Sequence, residues 1–197
     1  MSAPPDTVTV VLRLLDRHRP ADGTERADVA RVRALLDEAA DPWDRTRPLH
    51  LTASAFVVHP ETGRVLLRWH PRQNTWLHVG GHGDAGEADP VAVALREARE
   101  ETALIDLRPY TSDLLHVAVV PVATSPAEVA VEHADLRFVF VTDRPDDVRP
   151  ERPDAPLRWA SPREARELTD EDNVRRSLRH VEAALRVTTP RERHGIG

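Results

Sequence analysis

The sequence predicts an α+β fold, an α/β/α sandwich around a mixed β-sheet, preceded by an N-terminal helical extension. Three observations carry that prediction. Residues 1–50 place apolar side chains at helical spacing. From Leu51 onward, β-branched apolar runs alternate with turn signals. One helical stretch lies between those runs and another closes the chain. At 197 residues there is room for one domain of catalytic size and an appendage. The expected division is an extension over 1–50, a main domain over 51–187 and a flexible tail over 188–197.

In chain order, Asp6–Arg19 gathers Val8, Val10, Val11, Leu12, Leu14 and Leu15 into a dense apolar patch, which the stretch from Pro20 to Gly23 breaks. Arg26–Ala40 carries Val29, Val32, Leu35 and Leu36 on one helical face. It stops before Asp41-Pro42, because a residue preceding proline is biased out of the helical region. This helix pair is compatible with packing on the main domain, covering a site or forming a homodimer contact. Thr52–His59 reads as a strand closed by the turn Pro60–Gly63, and Val65–Trp69 as its returning partner. Trp76–Val79 leads into Gly80-Gly81, and a helix runs from Asp89-Pro90 to Thr102. Strands follow over Leu114–Val122, Leu136–Thr142 and Leu157–Ala160. Ser161-Pro162 with Glu164 is a capping-box start, and Asn173–Arg186 is a closing helix with Val174, Leu178, Val181 and Leu185 on one face.

Composition narrows the function. Acidic residues outnumber basic ones 33 to 27, for a net charge of −6. That argues against a chain held to nucleic acid or to an anionic membrane by bulk charge. Without cysteine there are no disulfides, no thiolate zinc site and no cysteine nucleophile. No apolar run approaches the roughly 18 residues needed to span a bilayer, and the N-terminal stretch around Asp6 lacks a signal-peptide pattern. The expectation is a cytoplasmic protein.

The informative segment is Gly80–Leu104. On a helix, Glu97, Glu100 and Glu101 share one face within a single turn, and like charges so spaced repel by roughly 0.2–0.5 kcal/mol per pair. Such a run is ordinarily a solvated helix face. Here a loop with four of the chain's eight glycines, Gly80, Gly81, Gly83 and Gly86, lies just upstream. A loop of that kind brings backbone groups close to a metal or a phosphate, and a hard divalent cation offsets clustered carboxylates.

This segment resembles the Nudix signature: Gly, five residues, Glu, seven residues, then Arg-Glu, two residues, Glu-Glu, one residue and Gly. The chain has Gly81, five residues, Glu87, eight residues, then Arg96-Glu97-Ala98-Arg99-Glu100-Glu101-Thr102-Ala103. It departs from the signature by one extra loop residue and by Ala103 in place of the last glycine. If that position needs a positive φ, alanine costs energy there. The resemblance implies a Nudix α/β/α sandwich that hydrolyses a nucleoside diphosphate linked to another group, a small-molecule substrate. It implies Mg²⁺ or Mn²⁺ held by Glu97, Glu100, Glu101 and the Gly80 carbonyl, with Glu100 and Glu101 catalytic. Gly81, Glu87 and Arg96 would be structural, Arg96 holding loop against helix. The general base would be one of the glutamates or a group outside the helix.

Candidates outside the signature lie in the stretch Glu132–Phe138. His133, Asp135 and Arg137 alternate, so on a strand they share a face. His133 or Asp135 would serve as general base and Arg137 would grip a phosphate bidentately. His78 and His82 bracket the glycine loop and are candidates for substrate contact or proton donation. Two other readings compete with the enzyme: a catalytically weak Nudix-fold nucleotide-binding protein, and an interaction module built on residues 1–50.

Overall fold

The computed structural model describes residues 6–84, 86–122 and 131–188. Two helices come first, α1 (Thr7–Arg17) and α2 (Gly23–Glu38), started by the Asp6 and Asp22 side chains, which accept from the Thr9 and Glu25 N–H groups. The strands are β1 (Leu49–His59), β2 (Arg64–His70), β3 (Thr75–Leu77), β4 (Val79–Gly81), β5 (Arg108–Pro109), β6 (His116–Val122), β7 (Val131–Val141) and β8 (Leu157–Ala160). Helix α3 (Pro90–Thr102) lies between β4 and β5, and α4 (Pro162–Leu168) and α5 (Asp172–Thr188) follow β8. The expected capping box at Ser161 and Glu164 is present. The part of the expected flexible tail beyond Thr188 lies outside the described residues.

One mixed sheet organises the molecule. Its path runs β3-β2-β1-β7-β5, with β4 also on β1, β6 on β7 and β8 on β2. Among the described residues only the central pair β1–β7 is parallel, in register from Leu49↔Glu132 to Val58↔Val141. Because side chains alternate along a strand, the two faces separate cleanly. Leu51, Ala53, Ala55 and Val57 of β1 join Leu136, Phe138 and Phe140 of β7 in a core with α1, α2 and α3. Phe56, Val58, Val139 and Val141 face the other way, against α4 and α5. Helices therefore cover both faces, as an α/β/α sandwich requires.

Two differences from expectation have clear causes. Strand β7 begins five residues before Leu136, because its polar start is carried by pairing with β1 rather than by its own apolar character. Strands β3 and β4 are three residues each, too short to leave a periodic signal. Of the three placements open to the N-terminal helices, the structure shows packing on the sheet: Val11, Leu14, Leu15, Val32, Leu35 and Leu36 are buried in the same core as α3. Glu25 of α2 is 1% exposed and pins the pair down. Its carboxylate accepts from the Ala21 N–H (2.6 Å) and from the Val117 N–H of β6 (3.0 Å), and it pairs with His18 Nε2 at 2.8 Å. Among the described residues no helix is long and apolar enough to cross a membrane.

Candidate active site

On the α5 face, the N-terminal halves of β1 and β7 carry polar side chains where the rest of the face is apolar. Register pairs His50 with His133, Thr52 with Asp135 and Ser54 with Arg137. This ladder forms part of the floor of a cavity of about 250 Å³, walled by Arg68 of β2, His78, Gly80 and Gly81 around β4, and Glu101 of α3.

At one end, Asp135 is fully engaged. Its Oδ1 accepts from Thr52 Oγ1 (3.0 Å) and Ser54 Oγ (2.7 Å), and its Oδ2 from Arg137 Nε (2.7 Å) and His78 Nε2 (3.3 Å). Burial alone would raise its pKa, but Arg137 and His78 outweigh that and hold the carboxyl well below the usual carboxylate range. Arg137 is 1% exposed, and its remaining nitrogens donate to the Asn173 carbonyl, Asn173 Oδ1 and Ser177 Oγ. His78 is stacked on Phe56 with centroids 4.7 Å apart, and its burial keeps its pKa below the usual histidine value.

The glycine loop joins this floor to helix α3. Gly80 has φ of 148°, and a Cβ there would lie 2.6 Å from the Ser54 Cα, so only glycine lets β4 seat against β1. A Cβ on Gly81 would come within 2.5 Å of the Glu97 carboxylate, so the loop passes directly over it. Arg96 binds Glu87 as a two-pronged fork (3.0 and 2.9 Å) and also donates to the His82 carbonyl, Glu97 Oε1 and Glu100 Oε2. The extra loop residue thus leaves the Glu87–Arg96 clamp closed. Ala103 caps α3 with φ of 60°, the left-handed conformation that glycine takes without penalty.

The glutamates are unevenly placed. Glu97 and Glu101 side chains are 18% and 13% exposed, Glu100 53%. Burial pushes the Glu101 carboxyl up to about 7, offset only partly by Arg68 at 3.4 Å and the Gly80 N–H at 3.1 Å. Burial raises Glu97 as well, despite Arg96. Arg96 draws Glu97 and Glu100 towards itself while Glu101 turns to Gly80, so the three carboxylates share a helix face without meeting at one point. Among the described residues, the only group of three or more His, Asp or Glu side chains whose ligand atoms all lie within 4.8 Å of one another is His50, His82 and His133. Burial and neighbouring positive charge keep His82 and His133 down to about 4, so both are neutral at pH 7.

A profile of the family described as NUDIX domain matches residues 48–181, well over half the chain. The chain belongs to the Nudix family. It is accordingly a hydrolase acting on diphosphate bonds. A comparison with curated proteins gives no match. Among solved structures, a C. elegans Ap4A hydrolase binary complex superposes with a TM-score of 0.57 at 21% identity, covering 70% of this chain and 98% of that one. A NUDIX-family hydrolase from Clostridium perfringens gives 0.51 at 24%, covering 71% and 98%. The E. coli dihydroneopterin triphosphate pyrophosphohydrolase gives 0.52 at 16%, covering 67% and 92%. At these identities the likeness is one of fold.

Within this Nudix sandwich, His78, Gly80, Gly81, His82, Glu101, His133, Asp135 and Arg137 line one cavity, whereas Glu87, Arg96, Glu97 and Glu100 do not line it. Asp135 has no oxygen left for a water's proton, and its low proton affinity makes it a poor base. Arg137 spends four of its five N–H groups on Asp135, Asn173 and Ser177. Asp135 and Arg137 thus hold each other in the lining of the cavity. His133 sits beside His50 and His82 rather than beside the glutamates. Sequence reasoning missed Arg68, His50, Thr52 and Ser54. A signal existed for each: polar residues at alternate positions in an otherwise apolar strand, and one cation inside VLLRW.

Proposed function

We propose that this Nudix hydrolase cleaves the diphosphate bond of a nucleoside diphosphate linked to another group, with Mg²⁺ or Mn²⁺ held by Glu97, Glu100, Glu101 and the Gly80 carbonyl. The observation that carries the reading is Glu101, a largely desolvated carboxylate beside Gly80 in the cavity, raised to about 7 because its charge lacks full compensation. Glu97, partly buried against Gly81, is raised for the same reason. These donors are hard oxygens carrying excess negative charge, which suits a hard divalent cation. Glu97 and Glu100, which accept from Arg96, would have to turn from it to hold such a cation. When bound, it neutralises diphosphate oxygens and acidifies a water.

The chain's own residues supply the rest. Glu101 is the cavity carboxylate with the proton affinity to accept a proton from water. Arg68 lines the same cavity beside Glu101, where its guanidinium adds positive charge for a phosphate oxygen. Arg96 and Glu87 hold the loop over the helix. The complete glutamate set disfavours the weak-binder alternative. The test is product release from a panel of nucleoside diphosphate derivatives, with and without Mg²⁺ and Mn²⁺. Metal-dependent cleavage of one member supports the reading. Ligands that raise the melting temperature without being cleaved would replace it with the binding protein.

A further inference from the structure

His82 and His133 line the same cavity, and the buried His50 adjoins both. His50 on β1 lies opposite His133 on the parallel neighbour β7, and His82 follows β4, whose Gly81 pairs with Ala53 of β1. The three ring centroids are 4.9–5.1 Å apart. His50 Nε2 stands 3.1 Å from His82 Nε2, and one ligand atom of each residue lies within 4.8 Å of the other two. His50 Nδ1 lies 3.0 Å from the Arg47 carbonyl, which can only accept, so Nδ1 carries the hydrogen and Nε2 presents its lone pair to the cluster. A histidine that donates its outer N–H to a backbone carbonyl is oriented as metal-ligating histidines are. Among the described residues none of the three rings forms an ion pair with a carboxylate.

We infer that His50, His82 and His133 form a binding site for Zn²⁺, separate from the glutamates and open to the cavity. Three imidazoles with no thiolate and no carboxylate favour a borderline-soft divalent ion over Mg²⁺. Tetrahedral ligands about 2.0–2.1 Å from zinc lie roughly 3.4 Å apart, close to the 3.1 Å between His50 and His82; small side-chain rotations bring in the third ring. The strands supplying His50 and His133 are locked in register, so the site is largely preformed. His82 and His133 line the cavity, which leaves a fourth position for water or for an oxygen of a bound ligand. The site stands whether or not the chain cleaves a nucleotide.

The metal itself is the probe. Chelator-stripped full-length protein is titrated with Zn²⁺ against a chromophoric competitor, with excess Mg²⁺ present to occupy the carboxylates. The expected result is one tight equivalent, weakened at least about 100-fold by His82→Gln and by His133→Gln, and unchanged by Glu101→Gln. Co²⁺ substitution of the unmutated protein gives a readout that survives any folding defect in the variants: the intense visible bands of a tetrahedral nitrogen-rich site are expected. The inference is overturned if no zinc is retained against Mg²⁺, if Co²⁺ shows only a weak octahedral spectrum, or if Glu101→Gln rather than the histidine variants abolishes binding.

Discussion

Asp135 and Glu101 are largely desolvated carboxylates lining one cavity, yet their proton affinities move in opposite directions. Asp135 accepts four hydrogen bonds, two from charged or chargeable partners, so burial strengthens its interactions more than it penalises its charge. Glu101 has one N–H and a guanidinium at 3.4 Å, and burial wins. Desolvation sharpens whatever a site already has. The satisfied carboxylate becomes scaffold and the under-compensated one is left able to take up a cation or a proton.

The sharpest way to break the comparison is to remove each charge. Glu101→Gln should lower turnover by about 10³–10⁵-fold, roughly 4–7 kcal/mol of barrier, with the melting temperature held or raised, because an unfavourable buried charge is gone. Steady-state kinetics beside a thermal melt checks both. Glu100→Gln should cost distinctly less, since that carboxylate is half exposed and tied to Arg96. At the other end the ordering reverses. Arg137→Met strands the Asp135 carboxylate and should destabilise the fold by about 3–5 kcal/mol in a urea titration. If Arg137→Met folded normally and only raised KM, Arg137 would be a substrate ligand after all.

Glu25 extends the comparison to the N-terminal helices. Burial would raise it, but His18 and the Ala21 and Val117 N–H groups hold it below its ordinary value of 4.5. Its stabilisation is therefore present above pH 4.5 and lost as pH falls below that value. Glu25→Gln should cost about 2 kcal/mol at pH 7 and flatten the acid limb of the stability profile; an unaltered acid limb would remove Glu25 from the account. The smallest effect is at Ala103. A non-glycine residue at φ of 60° is strained, so Ala103→Gly should raise stability by about 1 kcal/mol with activity unchanged.

Much of this was legible in the chain. The capping box at Ser161, the turn at Gly63, the face of α5 and the spacing of Glu87, Arg96 and the three glutamates are local, and their chemistry is set within a few turns or a loop. The glycines signalled a close approach, and the structure shows what approaches: Ser54 under Gly80 and the Glu97 carboxylate at Gly81. The alternation of His133, Asp135 and Arg137 correctly placed them on one face of a strand, but not what that face meets.

What the sequence by itself determined is the kind of chemistry available: a carboxylate helix fed by a glycine loop, on a sandwich covered by helices. Periodicity, capping and motif spacing act over short stretches, so they can be read from neighbours in the chain. Only the tertiary structure decided which charged groups are fully partnered and which are not. That depends on partners 36–92 positions away: Asn173 on Arg137, Ser54 on Asp135 and Val117 on Glu25. Whether a buried charge is quenched or left reactive is set by how many such partners the fold delivers, and no local pattern records that number.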